Sequence, residues 1–322
     1  MTTLQTIQQS IAHELALLDE VMRKQLATSN PLMDKVIDNY LQAKGKLIRP
    51  IIVILTAKLF SGVDSKVLAA AASVELLHNA SLIHDDIVDQ SPTRRGRPTV
   101  NAVWDNHIAV LVGDYFVTSS MQQAISTADV RIIEALCHLG KLLSLGELDQ
   151  IYNARYHTLT EEAYYRIINY KTASLFVACA RMGCYACGIG DHRVETLSRF
   201  AELLGMCFQI RDDIFDYFDD EKIGKPTGND LREGKITLPL LHVLLKLQDE
   251  EMIRLSQAET LTDQDIDRLV RYTCTNGGID YAYDRMNAMR QEAVGLLTAN
   301  FPESEARDNL IELFDYVISR KN

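Results

Sequence analysis

Two aspartate runs of the same form, Asp85-Asp86-Ile87-Val88-Asp89 and Asp212-Asp213-Ile214-Phe215-Asp216, are the residues of this chain best suited to chemistry. Each places carboxylates at positions i, i+1 and i+4, so on a helix the first and last stand one turn apart on one face. Each follows a long apolar stretch and is soon cut off, the first by Ser91-Pro92 and the second by Gly224-Lys225-Pro226. The acids therefore fall near helix C-termini, where the macrodipole disfavours negative charge. A divalent cation with oxygen ligands reverses that penalty, and thiol-free carboxylate clusters suit magnesium. One acidic run by itself more often caps or solubilises a helix. Two copies inside apolar helices, each trailed by basic residues, favour the metal.

Those basic residues recur in compact groups. Thr93-Arg94-Arg95-Gly96-Arg97-Pro98 follows the first cluster, and Gly45-Lys46-Leu47-Ile48-Arg49-Pro50 stands upstream at the mouth of an apolar helix. Lys171-Thr172, Lys225 and Asp230-Leu231-Arg232-Glu233-Gly234-Lys235 accompany the second. A helix entrance favours anions, and Lys and Arg add point charge and forked donors. Singly, each basic group reads as a solvated face. Acids that hold metal beside bases that hold phosphate oxygens describe a diphosphate site, with one diphosphate bound through magnesium and another directly.

His78 stands two helical turns before Asp85 on the same face, and either core packing or a phosphate contact fits it. The pair His84-Asp85 spells the motif of metal phosphohydrolases, but that chemistry needs further histidines and the second cluster holds only acids. An EF-hand is excluded by ligand spacing and the missing central glycine.

Helices must position all of these. Apolar helical periodicity covers Leu47 to Phe60, Val67 to Asp89, Asn101 to Ala124, Arg131 to Tyr152, Thr172 to Cys187 and Glu195 to Phe218, and strand alternation is nearly absent. Ile51-Ile52-Val53-Ile54-Leu55 and Leu68-Ala69-Ala70-Ala71-Ala72 are apolar all round, as buried helices are. With 7 prolines, 16 glycines and no linker or short repeat, the 322 residues read as one all-α domain, a layered helical bundle with central helices. The more polar Asp249 to Asn322 is expected to wrap its outside. A net charge of −11 argues against a nucleic-acid partner. Cys184-Tyr185-Ala186-Cys187 lies in an apolar run with no second pair, so a packing role outweighs zinc or redox work. A polar N-terminus without signal-peptide layout, and no run of about 18 apolar residues, predict a soluble cytoplasmic protein without a transmembrane segment.

From about Lys44 to Pro239 the chain resembles the all-trans polyprenyl diphosphate synthases, head-to-tail prenyltransferases of the type I isoprenoid synthase fold, which implies a single-domain helical bundle around a central apolar cavity. The matching motifs are G-K-x-x-R-P, L-I-H-D-D-I-V-D, R-R-G, V-G-D-Y, K-T, Q-I-R-D-D-I-F-D and G-K-x-x-x-x-D-L-x-x-G-K. The resemblance implies that Asp85, Asp86, Asp89, Asp212, Asp213 and Asp216 hold two or three magnesium ions against an allylic diphosphate, with Asp85, Asp89 and Asp212 foremost as direct ligands. It implies that Arg94, Lys171, Lys225 and Lys235 grip that diphosphate, that Lys46, Arg49, His78 and Arg95 bind isopentenyl diphosphate, and that Thr172 and Gln209 face the reacting carbons. No motif position is broken, so an active enzyme is expected. Cationic charge would stabilise the leaving diphosphate, and the allylic cation left in an apolar pocket would be attacked by the second substrate's double bond. With no obvious base among the motifs, the released diphosphate is the natural proton acceptor.

Ala80 and Ser81, four to five residues before Asp85, are small and lie roughly 6–8 Å along the helix from the metal site. Small residues there leave the pocket open, which predicts a medium- or long-chain product in the octaprenyl range. Deeper residues, Leu136, Leu139 or Leu143, are expected to form the floor. A homodimer and transient membrane contact during product release accompany the family reading. The alternatives are a farnesyl or geranylgeranyl synthase, or a non-catalytic helical partner subunit.

Overall fold

The computed structural model describes residues 2–42, 45–94, 96–156, 158–218 and 227–320. Their helices are α1 (Thr3–Ser10), α2 (Ala12–Leu26), α3 (Pro31–Leu41), α4 (Ile48–Lys58), α5 (Ser65–Val88), α6 (Val100–Val103), α7 (Asn106–Ser126), α8 (Val130–Tyr156) and α9 (Glu161–Ile168). After a π-helical turn at Asn169–Ala173 come α10 (Ser174–Ala186), α11 (His192–Phe215), α12 (Asn229–Arg232), α13 (Leu238–Leu247), α14 (Glu250–Ser256), α15 (Asp263–Thr275), α16 (Gly278–Asn300) and α17 (Glu305–Ser319). One antiparallel hairpin, β1 (Thr93–Arg94) and β2 (Arg97–Pro98), pairs Arg94 with Arg97. The fold is all-α.

Two compact units divide the chain: Met1–Gly140 with Leu175–Ser198 and Asn300–Leu310, and Lys141–Ser174 with Arg199–Ala299 and Ile311–Asn322. In the first, α4 and α5 are core helices. Ile51 to Leu55 and Ala70 to Ala72 are fully buried, as their lack of a polar face requires. By length and composition α5 could cross a membrane, yet 78% of its apolar window is buried inside the protein, which marks a core helix. It packs mainly along α7. Gly113 makes that approach possible, because a Cβ there would lie 2.1 Å from His84 Nε2. This glycine is the one in V-G-D-Y.

In the second unit, Leu240, Leu244, Met252, Ile266 and Leu269 form a core of α13, α14 and α15. Ala282, Met286, Ala293, Leu313 and Phe314 are fully buried as well. The segment from Asp249 onward therefore builds core, where the sequence suggested an outer wrap; Thr273 and Ser256 are buried with it, while most of its polar residues lie on the exposed faces of these helices.

Two further expectations change. The helix expected from Asn101 to Ala124 is broken at Trp104-Asp105, where extended Asp105 restarts it by accepting a hydrogen bond from Ile108 N at 2.8 Å. The helix expected from Thr172 to Cys187 begins inside the π-turn and continues an earlier helix. Cys184 is buried and its thiol is pushed up to about 12, chiefly by burial, as suits packing.

Candidate active site

In the first unit, α5 carries His78, Ala80, Ser81, Asp85 and Asp86, and Asp89 caps its C-terminus. The two leading acids face different surroundings. Asp85 is half-buried, whereas Asp86 is 4% exposed and its Oδ1 accepts from Arg94 Nε at 2.6 Å. Burial raises the Asp86 pKa and the Arg94 charge opposes that rise. The hairpin places Arg94 at this carboxylate. Asp86 and Arg94 line a cavity of about 500 Å³ together with Glu75, Tyr40 and Asn79.

Leu47 adopts a left-handed φ of 55° and starts α4 abruptly, leaving exposed Lys46 before the helix and Arg49 in its first turn. The Arg49 guanidinium lies 5.7 Å from the Phe176 ring centroid. His78 is buried, and its carbonyl accepts from Ser81 Oγ at 2.9 Å. His84 turns to α7, 3.3 Å from Val110 O and 3.6 Å from Asp114, so it serves a helix contact. Ala80 and Leu136 are buried, and Ser81 is partly exposed.

In the second unit, the π-turn carries Lys171 and Thr172. Gly146 of α8 admits it, since a Cβ there would stand 2.7 Å from Lys171 N. Lys171 Nζ pairs with Glu147 at 2.6 Å and donates to Gln150 at 3.2 Å. Thr172 Oγ1 donates to Gln209 Oε1 at 2.8 Å, Gln209 Nε2 donates to Asp213 Oδ1 at 2.8 Å, and Tyr164 Oη donates to Asp213 Oδ2 at 2.6 Å. Burial pushes the Asp213 pKa up, with Asp230 adding and the Tyr164 and Gln209 donors opposing. Lys171, Thr172, Gln209, Asp213 and Lys235 line one cavity of about 150 Å³. Five expected site residues thus share one pocket.

The remaining acids of this cluster are engaged too. Asp212 Oδ1 pairs with Arg320 Nη2 at 2.7 Å, and Asp216 accepts from the backbone N–H groups of Asn229 and Asp230, each at 3.0 Å. Lys235 pairs with Glu233. The expected residues Arg95 and Lys225 lie outside the described residues.

Among the described residues, no three His, Cys, Asp or Glu side chains are gathered as a preformed metal centre. The donors near each cluster are carboxylate oxygens. Such a set fits magnesium, which takes one or two protein carboxylates and keeps waters or substrate phosphate oxygens for the rest.

Sequence reasoning missed Tyr164, Glu75 and Arg320. Glu75 carried a signal, as a lone acid in an apolar helix three residues before His78, and it is 6% exposed. Tyr164 and Arg320 reach the second cluster from distant segments and carried none.

The model of the family described as polyprenyl synthetase matches residues 30–273. An octaprenyl diphosphate synthase of Haemophilus influenzae is 32% identical over 316 residues, covering 97% of this chain and 96% of the relative. Among solved structures, a geranylgeranyl pyrophosphate synthase from Bacteroides thetaiotaomicron has a TM-score of 0.85 at 37% identity, covering 99% of this chain and all (100%) of that one. A polyprenyl synthase from Caulobacter crescentus CB15, complexed with calcium and isoprenyl diphosphate, has a TM-score of 0.90 at 28% identity, covering 99% and 98%. The chain belongs to the polyprenyl synthetase family, with the all-α type I isoprenoid synthase fold. It is a trans-prenyltransferase.

Proposed function

We propose that this chain condenses isopentenyl diphosphate with an allylic diphosphate, head to tail, in a magnesium-dependent reaction giving an all-trans polyprenyl diphosphate in the octaprenyl range. The observation that carries the reading is the second-unit cavity, where the Lys171 and Lys235 charges stand beside the Thr172 and Gln209 oxygens. A family match that draws on residues of both units supports a single working domain, 1–322.

In this reading Asp85, Asp89 and Asp212 are the foremost cation ligands, with Asp86, Asp213 and Asp216 completing the two clusters. Two or three bound magnesium ions would neutralise charge on the leaving diphosphate. Lys171, Lys235 and Arg94 add positive charge for the allylic diphosphate, and Lys46, Arg49 and His78 bind isopentenyl diphosphate. Thr172 and Gln209 turn oxygen towards positive charge developing on the allylic carbon. Apolar walls exclude water, and the released diphosphate accepts the proton from the condensed product.

The octaprenyl relative and the small residues Ala80 and Ser81 support the longer product. The geranylgeranyl synthase at 37% identity favours a shorter one as the second reading. The reading includes a homodimer, supported by the exposed Leu111 and Ile125 on α7. Incubation with magnesium, farnesyl diphosphate and labelled isopentenyl diphosphate, followed by chromatography, tests both products. Products of eight isoprene units support the first reading, four the second, and no incorporation rejects both.

A further inference from the structure

Tyr164 is buried, belongs to none of the motifs, and gives its hydroxyl proton to an acid of the second cluster. Four side chains follow in sequence: Tyr164 to Asp213, Gln209 to Asp213, and Thr172 to Gln209. Each link has a direction. Asp213 Oδ2 takes Tyr164 and Oδ1 takes the amide nitrogen of Gln209, so the amide must present its carbonyl to Thr172. A carbonyl only accepts, so the Thr172 hydroxyl proton is committed to Gln209. The remaining lone pairs of Thr172 Oγ1 are then left for the cavity it lines. A proton on Asp213 Oδ2, shared with Tyr164, would leave Oδ1 an acceptor, and the order would persist.

We propose that Tyr164 and Asp213 are positioning residues that fix the amide of Gln209, and through it the Thr172 hydroxyl, so that oxygen lone pairs face the carbon that becomes positive. This rests on the prenyl-transfer reading but moves Asp213 from the cation ligands of that reading to a positioning task, since both its oxygens already accept from Tyr164 and Gln209. With the tyrosine hydroxyl gone, the Asp213 carboxylate loses its anchor and can rotate away from Gln209 Nε2, and an amide without that acceptor can reverse. Thr172 would then face a donor instead of an acceptor, and its proton would be free to turn into the cavity. Pre-set dipoles aimed at developing charge are effective because they need no reorganisation during the reaction.

The test is a double-mutant cycle of Tyr164→Phe and Gln209→Ala, read as kcat, KM and magnesium half-saturation. Tyr164→Phe is expected to lower kcat by about tenfold while both KM values and the magnesium requirement change less than about twofold. In the Gln209→Ala background it should have no further effect, since its action passes through that amide. Multiplicative losses would overturn the proposal, as would a raised magnesium requirement, which would return Asp213 to the cation ligands. A readout independent of turnover is the Gln209 side-chain amide, seen by NMR in the full chain. Two resolved, slowly exchanging amide protons are expected in the wild type and their broadening in Tyr164→Phe; an unchanged pair overturns the proposal. Absence of wild-type turnover with every allylic diphosphate rejects the prenyl-transfer reading, while the NMR comparison still decides the orientation of Gln209.

Discussion

Arg320 Nη2 lies 2.7 Å from Asp212 Oδ1, so the leading acid of the second cluster is paired with a residue just beyond the last helix. The guanidinium sits 3.9 Å from the Phe208 ring centroid, and the Arg320 carbonyl accepts from Arg211 Nε at 3.0 Å and Nη2 at 2.7 Å. A cation arriving at Asp212 meets this guanidinium charge whether it takes Oδ2, shares Oδ1 or displaces the arginine. Arg320→Leu keeps apolar bulk and removes the competitor. Magnesium binding, measured by calorimetry without substrate, is expected to tighten by about three- to tenfold, on the order of 1 kcal/mol. Weaker binding would show that Arg320 assists the cation.

Asp85→Asn and Asp86→Asn are expected to fail differently. Asp85 is half-buried, and its neutralisation should cut turnover by orders of magnitude with little change in Tm. Asp86 is buried against Arg94, so its neutralisation should loosen that guanidinium and raise KM for the allylic diphosphate by about tenfold. Steady-state kinetics and a melting curve separate them. Near-normal turnover of Asp85→Asn would remove its metal role.

Gly146→Ala probes the wide turn without removing a polar side chain. The added methyl would meet Lys171 N at 2.7 Å, a backbone atom that cannot swing aside. A destabilisation of about 1–3 kcal/mol in urea unfolding is expected, with a loss of activity exceeding what the unfolded fraction explains. Full activity in the folded protein would show that the turn tolerates displacement.

Asp129 gives a stability prediction away from the candidate site. Arg131 Nη2 stands 2.7 Å and Lys66 Nζ 2.9 Å from its Oδ2, and the Arg131 hydrogen bond leads in holding the carboxyl far below its usual range. A carboxyl depressed in the folded state stabilises above its unfolded pKa of about 3.9, and the contribution fades as pH falls through the folded value. The wild type should therefore exceed Asp129→Asn by on the order of 2 kcal/mol at pH 7, with the gap shrinking below about pH 4. A gap independent of pH would point to packing instead.

Ser81→Phe tests the product ruler. A ring at this partly exposed position, one turn before Asp85, should give markedly shorter products with little loss of initial rate. Unchanged chain length would remove Ser81 from length control. Ala80 is fully buried, so its replacement by Phe should cost stability first.

Much of this was legible in the sequence because it depends on local pattern. Apolar runs placed α4, α5 and α8 within a few residues, and the K-T and Q-I-R-D-D motifs brought Thr172 and Gln209 into what proves to be one cavity. What escaped depended on partners remote in the chain. Nothing near Asp213 announces Tyr164, and nothing near Asp212 announces Arg320. The break at Asp105 escaped because the polar run Asp105-Asn106-His107 is short and flanked by apolar residues on both sides, while the restart comes from one capping side chain. The segment from Asp249 onward reads as an outer layer because its helices are polar on one face, yet Leu313 and Phe314 on the other are fully buried.

The π-turn at Asn169–Ala173 follows directly on α9, with an extra residue accommodated in a single widened loop of backbone. Side chains before and after it are out of step by about 100° relative to an uninterrupted α-helix. Deleting one residue there would restore regular winding, yet turn Lys171 and Thr172 from the places they hold in their cavity. A shortened chain could thus gain helical regularity and lose its catalyst.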